Sequence, residues 1–126
     1  MKSIVTGGAG FIGSHLVDKL LDLNHDVTVL DNFSTGRPDN LSHVKDRIKL
    51  INCDISKKDK WINEFEGTDW VFHVAGLADI VPSIQNPEGY FNSNVLGTLN
   101  VAESCKKYKI KRVIYFASAS CYGLPD

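Results

Sequence analysis

Short apolar runs alternate with helix-period segments along the chain. Apolar, β-branched runs predict five strands, at residues 3–6, 27–30, 48–53, 70–75 and 112–117. After the first run, apolar residues recur at the spacing of one helix face: Ile12, Leu16, Val17, Leu20 and Leu21. Strands that alternate with helices predict a parallel sheet covered by helices on both faces.

The other helices are predicted less evenly. A polar loop over 34–40 precedes one helical turn around 41–45, and a short amphipathic helix lies around 61–65. The longest helix is expected to run from Pro87 to about Lys107, because proline suits the first position of a helix. We expect its inward face to carry five residues: Phe91, Val95, Leu99, Ala102 and Cys105.

A glycine-rich turn joins the first predicted strand to the first helix, with Gly7, Gly10 and Gly13 spaced three apart. Gly7 permits the tight turn, Gly10 lets backbone approach a pyrophosphate, and Gly13 lets the helix lie close to the sheet. The helix N-terminus offers free N–H groups and a positive dipole end to phosphates. Glycines placed between a strand and a helix therefore predict dinucleotide binding.

An acidic residue ends the second predicted strand. Asp31 lies 18 residues past Gly13, where a carboxylate can accept hydrogen bonds from the adenosine ribose hydroxyls. The residue after this acid is Asn32 and not a basic residue, which favours NAD over NADP, because a 2′-phosphate would meet the like charge of Asp31. Arg37 keeps NADP open as an alternative, and a solvated turn carboxylate is the alternative for Asp31.

These patterns predict an α/β fold of the Rossmann type, a doubly wound parallel sheet with helices on both faces. We expect five strands in the order 3-2-1-4-5, truncated before the sixth strand of that fold. The 126 residues allow one domain, 1–126, which we expect to be an incomplete NAD-binding domain.

Composition narrows the classes of function. A chain that is 43% hydrophobic and 23% charged, with a net charge of -1, is globular and not built mainly to hold nucleic acid or an anionic membrane. No apolar run approaches the roughly 20 residues that span a bilayer, and no signal-peptide core is present, so we expect a cytoplasmic protein. The spacings of three cysteines and four histidines predict neither disulfides nor a metal site.

Ordered motifs along the whole chain resemble the extended short-chain dehydrogenase/reductase superfamily. Within it, the chain is most similar to the NAD-dependent nucleotide-sugar epimerases typified by UDP-glucose 4-epimerase. Besides the glycine turn, the motifs that carry this resemblance are residues 29–36, 53–55, 72–76, 94–99 and 118–123.

The resemblance implies NAD as cofactor and a set of contacts to it. The implied contacts are Phe11 and Ile12 at the pyrophosphate, Asp31, Asn32, Ser34 and Gly36 at the adenosine ribose, Asp54 and Ile55 at the adenine, and Val74, Ala75, Gly76 and Ser93 farther along the cofactor. Structural alternatives remain, since Asp54 could begin a turn and Val74 and Ala75 would be apolar core in any parallel sheet. His73 is expected to be a satisfied core histidine.

Ser118 is the candidate catalytic residue. The resemblance implies that its hydroxyl binds the sugar hydroxyl being oxidised and helps pass the proton to a catalytic tyrosine. The alternative is a serine that caps a turn at the end of a strand. Ala119 and Ser120 stand where 4,6-dehydratases of the family carry an acidic pair, which favours epimerisation or simple oxidoreduction over dehydration.

The resemblance implies a 4-epimerase of the UDP-glucose/UDP-galactose type, acting by transient oxidation and re-reduction at C4. The expected partner is a nucleotide sugar, and a homodimer is left open. No tyrosine of the chain is followed four residues later by the lysine of the family's Tyr-x-x-x-Lys motif. We therefore expect an N-terminal portion that is inactive alone and self-associates through an open sheet edge.

Two other functions stay open. The chain could be a non-catalytic NAD-binding module or redox sensor, since it lacks that motif. It could also belong to a sugar-nucleotide reductase or dehydratase of the same superfamily.

Overall fold

A computed structural model describes residues 1–123, which form one five-stranded parallel sheet. The strands are β1 Lys2–Thr6, β2 Asp26–Asp31, β3 Ile48–Asn52, β4 Trp70–His73 and β5 Arg112–Tyr115. Their order across the sheet is β3-β2-β1-β4-β5, and every neighbouring pair is parallel. The predicted Rossmann-type order is confirmed. Thr6 lies level with Leu30 and His73, so the carboxyl ends of the three central strands meet at one edge.

The helical segments connect these strands. They are α1 Phe11–Asp22, α2 Ile80–Gln85, α3 Pro87–Phe91 and α4 Gly97–Lys107, with a π-helical turn Asn92–Leu96 joining α3 to α4. Three further segments are 3-10 helical: Pro38–Arg47, Lys60–Phe65 and Ala119–Tyr122.

Alternate side chains of the central strands face two separate cores. On β1, Val5 packs into one core and Ile4 into the other, and both are fully buried. The first core includes Val17 of α1, and the second includes Val101 of α4. Helices therefore cover both faces of the sheet, as the alternation of elements predicted.

The predicted inward face of the longest helix is wrong for four of its five residues. Phe91, Val95, Leu99 and Ala102 are exposed, and only Cys105 is buried. The buried face of α4 is instead small and partly polar, formed by Gly97, Asn100, Val101, Ser104 and Cys105.

Hydrogen bonding and close packing explain this polar face. The Asn100 side chain donates to the backbone carbonyls of Ile55 and Ser56, at 2.9 and 3.0 Å. A Cβ on Gly97 would lie 3.0 Å from the Ile55 side chain, so glycine allows the helix to approach. A buried polar group costs little when its partners are satisfied, and helical periodicity alone cannot reveal those partners.

Several element boundaries differ from the prediction. β4 ends at His73 and β5 at Tyr115, two residues earlier than expected, since the chain beyond each strand leaves the sheet. The amphipathic segment around 61–65 is 3-10 helical, and the short helix α2 was not predicted.

The edge of the sheet at β5 is partly exposed in residues 1–123. Among these residues β5 pairs only with β4, and the side chains of Val113 and Tyr115 at this edge are about half exposed. No helix in the described part of the chain is long and apolar enough to cross a membrane.

Candidate functional site

A cavity of about 360 Å³ opens at the carboxyl ends of the central strands. β2 and β3 lie on one side of β1, and β4 and β5 lie on the other, so the strand order changes side at β1. Open parallel sheets bind ligands at such a point. The cavity is lined by all fifteen residues predicted to contact the cofactor: Gly7, Gly10, Phe11, Ile12, Gly13, Asp31, Asn32, Ser34, Gly36, Asp54, Ile55, Val74, Ala75, Gly76 and Ser93. Five more residues line it that the sequence reading did not name: Leu30, Thr35, Cys53, Leu77 and Ala78.

The glycine turn is packed so closely that side chains would not fit. Gly7 has a φ of +69°, and a Cβ there would lie 2.7 Å from the backbone of Ala75. A Cβ on Gly13 would overlap the Gly7 carbonyl oxygen. The Gly7 N–H donates to the carbonyl of Leu30 at 2.8 Å, which ties the turn to β2. The first and third glycines thus do what the sequence motif requires of them.

The N-terminus of α1 faces the cavity as an anion-binding end. Gly10 precedes the helix, no side chain caps it, and no acidic residue lies in its first turn. Phe11 and Ile12, the first two helical residues, have exposed side chains. The first N–H groups of a helix lack intrahelical partners and carry the positive end of its dipole, so this end suits a phosphate.

Asp31 holds a fixed carboxylate in the cavity wall. It is only 8% exposed, and its two oxygens accept hydrogen bonds from the N–H groups of Ala9 and Phe33 at 2.9 and 2.8 Å. A carboxylate offers about four lone-pair sites, so two remain for a ligand. A Cβ on Gly36 would lie 3.0 Å from one of these oxygens, and its absence leaves space beside the carboxylate.

The far end of the cavity is also acidic. Asp54 accepts hydrogen bonds from the N–H and hydroxyl of Ser56, at 3.0 and 2.7 Å, so it does start the turn that the sequence left open. Burial raises the pKa of Asp54, but the Ser56 hydrogen bonds and the nearby Lys57 outweigh it and lower the pKa overall. Burial and the charges of neighbouring aspartates, Asp31 first, raise the pKa of Cys53 to about 12, so its thiol is neutral.

Ser118 is not brought into the cavity. Its side chain is exposed, and its Oγ accepts a hydrogen bond from the N–H of Ser120 at 3.1 Å. It caps the 3-10 segment Ala119–Tyr122, the structural role that the sequence had left as its alternative. Its catalytic role stays a prediction.

Two asparagines that sequence reasoning gave no role hold the cavity's loops. The side chain of Asn94 accepts from the N–H of Leu77 and donates to its carbonyl, both at 2.8 Å. Asn100 anchors the Ile55–Ser56 backbone at the other end. The available signal was an asparagine within a helix-period segment, a residue type that is buried only when hydrogen-bonded.

The donor set suits a dinucleotide. The cavity combines an open helix N-terminus, a carboxylate that can bind a ribose diol and a second carboxylate at its far end, around glycines that leave no room for side chains. In residues 1–123 no cluster of three or more His, Cys, Asp or Glu side chains could hold a metal ion.

Known proteins match along the whole chain. The model of the NAD-dependent epimerase/dehydratase family matches residues 3–126. A putative UDP-glucose 4-epimerase of Methanocaldococcus jannaschii is 41% identical over 126 residues, covering 98% of this chain and 40% of the relative. The chain thus spans about 40% of the length of that curated relative.

Solved structures agree. A UDP-N-acetylglucosamine 4-epimerase from Methanobrevibacter ruminantium, in complex with UDP-N-acetylmuramic acid, is 37% identical with a TM-score of 0.89, covering 97% of this chain and 39% of its own. A Bifidobacterium longum UDP-glucose 4-epimerase in complex with NAD+ and UDP is 31% identical with a TM-score of 0.90, covering 100% of this chain and 39% of its own. The resemblance predicted from the sequence motifs is confirmed.

Proposed function

The chain belongs to the NAD-dependent epimerase/dehydratase family, and we propose that it forms the cofactor-binding part of a nucleotide-sugar 4-epimerase acting on UDP-glucose and UDP-galactose. The observation that carries the proposal is the cavity at the carboxyl ends of the strands, which gathers every predicted cofactor residue. Support for the 4-epimerase reaction comes from relatives such as the putative UDP-glucose 4-epimerase of M. jannaschii.

The residues around the cavity would divide the cofactor among them. The N-terminus of α1, at Phe11 and Ile12, would bind the pyrophosphate, and Asp31 would accept from the ribose hydroxyls. Asp54 would accept from the adenine amino group, beside the backbone of Ile55. The carboxylate of Asp31, held by two backbone N–H groups, would repel a 2′-phosphate, which favours NAD over NADP.

NAD, when bound, supplies a reversible hydride acceptor, so a C4 carbinol can be inverted with no net redox change. Ser118 would then act on the sugar. Its Oγ accepts one hydrogen bond from Ser120, which leaves its own proton and a second lone pair free. That hydroxyl could hold the proton of the C4 hydroxyl on its way to a base.

The test is an epimerase assay on the full-length protein. We expect UDP-glucose and UDP-galactose to interconvert without net NADH formation. We expect Ser118→Ala to lower kcat by about a hundredfold without changing NAD affinity, and the matched Ser118→Thr to retain most activity, because a hydroxyl is kept.

Each other outcome points to a different function. NAD binding with no turnover of any sugar nucleotide would support the non-catalytic module. A net reduced product would support a reductase, and loss of water a dehydratase. Failure to bind NAD at millimolar concentration would overturn the enzyme and module hypotheses together.

A further inference from the structure

Three polar side chains form a hydrogen-bonded row directly behind the cavity wall. Thr6 Oγ1 lies 2.7 Å from His73 Nδ1, and His73 Nε2 lies 2.8 Å from Thr98 Oγ1. Thr6 and His73 are almost fully buried, at 0% and 2% exposed. No buried side-chain nitrogen or oxygen in the described residues lacks a hydrogen-bond partner, so this row is fully satisfied.

The direction of each hydrogen bond in the row can be deduced. The Thr98 hydroxyl lies 2.7 Å from the backbone carbonyl of Asn94, which can only accept, so Thr98 donates its single proton there. Towards His73 the Thr98 oxygen can then only accept, so the ring proton is on Nε2. In the neutral ring Nδ1 must then accept the proton of Thr6.

The other end of the row agrees with this direction. The N–H of Ala75 donates to Thr6 Oγ1 at 3.2 Å, which uses a lone pair of Thr6 and leaves its proton for His73. Burial lowers the pKa of His73 to about 4, so the ring is neutral at physiological pH. The row therefore runs with one polarity, from the N–H of Ala75 to the carbonyl of Asn94.

The row connects three parts of the cavity wall without lining the cavity itself. Thr6 immediately precedes Gly7 of the glycine turn, and His73 precedes the strand exit at 74–77. Thr98 fixes the backbone of Asn94, whose side chain holds both polar groups of Leu77. A shift of the imidazole would thus move the turn, the strand exit and the π-helical turn relative to one another.

We propose that His73 is a positioning residue for the cofactor: its imidazole, protonated at Nε2, holds the Gly7 turn, the 74–77 strand exit and the Asn94 turn in the arrangement that receives a dinucleotide. The inference rests on the proposed function, because it takes the cavity to be an NAD site. It assigns His73 no proton transfer to substrate.

The first test uses variants at Thr98, which does not line the cavity. Thr98→Val keeps the shape but removes both hydrogen bonds of the hydroxyl, the one from Nε2 and the one to the Asn94 carbonyl, whereas Thr98→Ser keeps both. In the full-length protein we expect Thr98→Val to weaken NAD binding about tenfold and Thr98→Ser to stay within about twofold of the unaltered protein. Titration below the melting temperature of each variant separates this effect from unfolding.

A second test addresses the row at its other end. Thr6→Val removes the donor to Nδ1, and we expect a similar loss of NAD affinity. In the double variant with Thr98→Val, the total loss of NAD binding energy should be smaller than the sum of the two single losses, because both substitutions act through one ring. Equal Kd values for Thr98→Val and Thr98→Ser, or strict additivity with Thr6→Val, would overturn the proposal.

The position of the ring proton tests the deduced hydrogen-bond order directly, without any cofactor. Long-range ¹H–¹⁵N correlation of the full-length protein at pH 7 should show His73 protonated at Nε2 alone, and Thr98→Val should shift it towards a mixture of tautomers. A ring protonated at Nδ1, or at both nitrogens, would overturn the proposal, even if Thr98→Val fails to fold. This measurement needs no NAD. If the protein binds no NAD, the proposed function fails, but the hydrogen-bond order of the row can still be read from the ring proton.

Discussion

Asp31 joins the fold and the site in one side chain. Its carboxylate closes the loop after β2 through the N–H of Phe33 and holds the glycine turn through the N–H of Ala9. The same oxygens face the cavity with lone pairs to spare. Changing this residue should therefore affect the stability of the protein and the affinity for the cofactor together.

We predict that Asp31→Asn lowers the free energy of unfolding by about 1–3 kcal/mol and weakens NAD binding at least about tenfold. An amide must point its NH₂ group at one of two backbone N–H donors, so one hydrogen bond is lost. Asp39→Asn, the same change at an exposed aspartate, should alter stability by less than about 0.5 kcal/mol. Chemical denaturation and NAD titration measure both effects, and equal behaviour of the two variants would contradict the assignment.

His73 predicts how stability depends on pH. Its pKa is about 4 in the folded protein, against 6.5 when unperturbed, so between these values the unfolded chain binds the extra proton. The stabilisation is complete above about pH 6.5 and is lost as the pH falls through about 4, a total of about 3 kcal/mol. Three carboxyls also have a lowered pKa, so their contribution to stability is lost only below about pH 4.5: Asp54, Asp69 and Glu103.

Denaturation of the protein at pH values from 4.5 to 7 checks this prediction. The free energy of unfolding should rise with pH for the unaltered protein and rise less for His73→Gln, which cannot titrate. Identical slopes would show that His73 is not the group responsible.

Individual site residues were predictable to different degrees. The glycine turn and Asp31 follow from local sequence, because a strand, a tight turn and a helix N-terminus fix their geometry within a few residues. The local cap that Ser118 forms was one of the two roles expected for it, whereas the roles of Thr98 and Asn100 depend on partners more than 20 residues away. Such long-range hydrogen bonds leave no periodic trace in the sequence.

At the scale of elements, α4 is held to the sheet by hydrogen bonds as well as by apolar contact. Asn100 is 2% exposed and donates to two carbonyls of the loop after β3, while Val101 packs in the second core. The apolar residues that helical periodicity assigns to the inside face outwards at Val95 and Leu99. Periodicity located the helical region correctly and oriented it wrongly.

Asn100→Leu tests this attachment. Leucine is of similar size but leaves the buried carbonyl of Ile55 and the partly buried carbonyl of Ser56 without this donor, so we predict a loss of about 1–3 kcal/mol of stability. We also expect weaker NAD binding, because Ile55 and Asp54 lie on the released loop. Glu103→Leu on the same helix removes an exposed ion pair with Lys58 and should leave the stability almost unchanged. If the two variants unfold at the same denaturant concentration, the asparagine is not an anchor.

At the scale of the whole molecule, the strand order was predictable. Parallel neighbours need long crossovers, and an alternation of strands and helices that begins with a glycine turn allows few orders. The exposure of the edge strands was less predictable. β5 is mostly exposed, and its far side has no partner strand among residues 1–123.

We therefore predict that the 126-residue chain self-associates through β5. An unpaired edge with half-exposed Val113 and Tyr115 offers both hydrogen bonds and apolar surface to a second strand. Size-exclusion chromatography over a hundredfold range of concentration should show larger species at higher concentration. Val113→Lys should reduce them, since a charge on an edge strand discourages pairing, and a monomer at every concentration would contradict the prediction.

The number of residues between the π-helical turn and α4 determines whether two asparagines reach their partners at the cavity. Asn94 lies in that turn and holds the Leu77 end of the cavity, whereas Asn100, six residues later, holds the Ile55 end. Deleting one residue between them would rotate the preceding segment by about 100° and shift it by about 1.5 Å, so one asparagine would lose its partners. Insertions and deletions should accordingly be far more damaging between 94 and 100 than on the loop at 34–37, although residues 34–36 line the cavity and residues 94–100 do not.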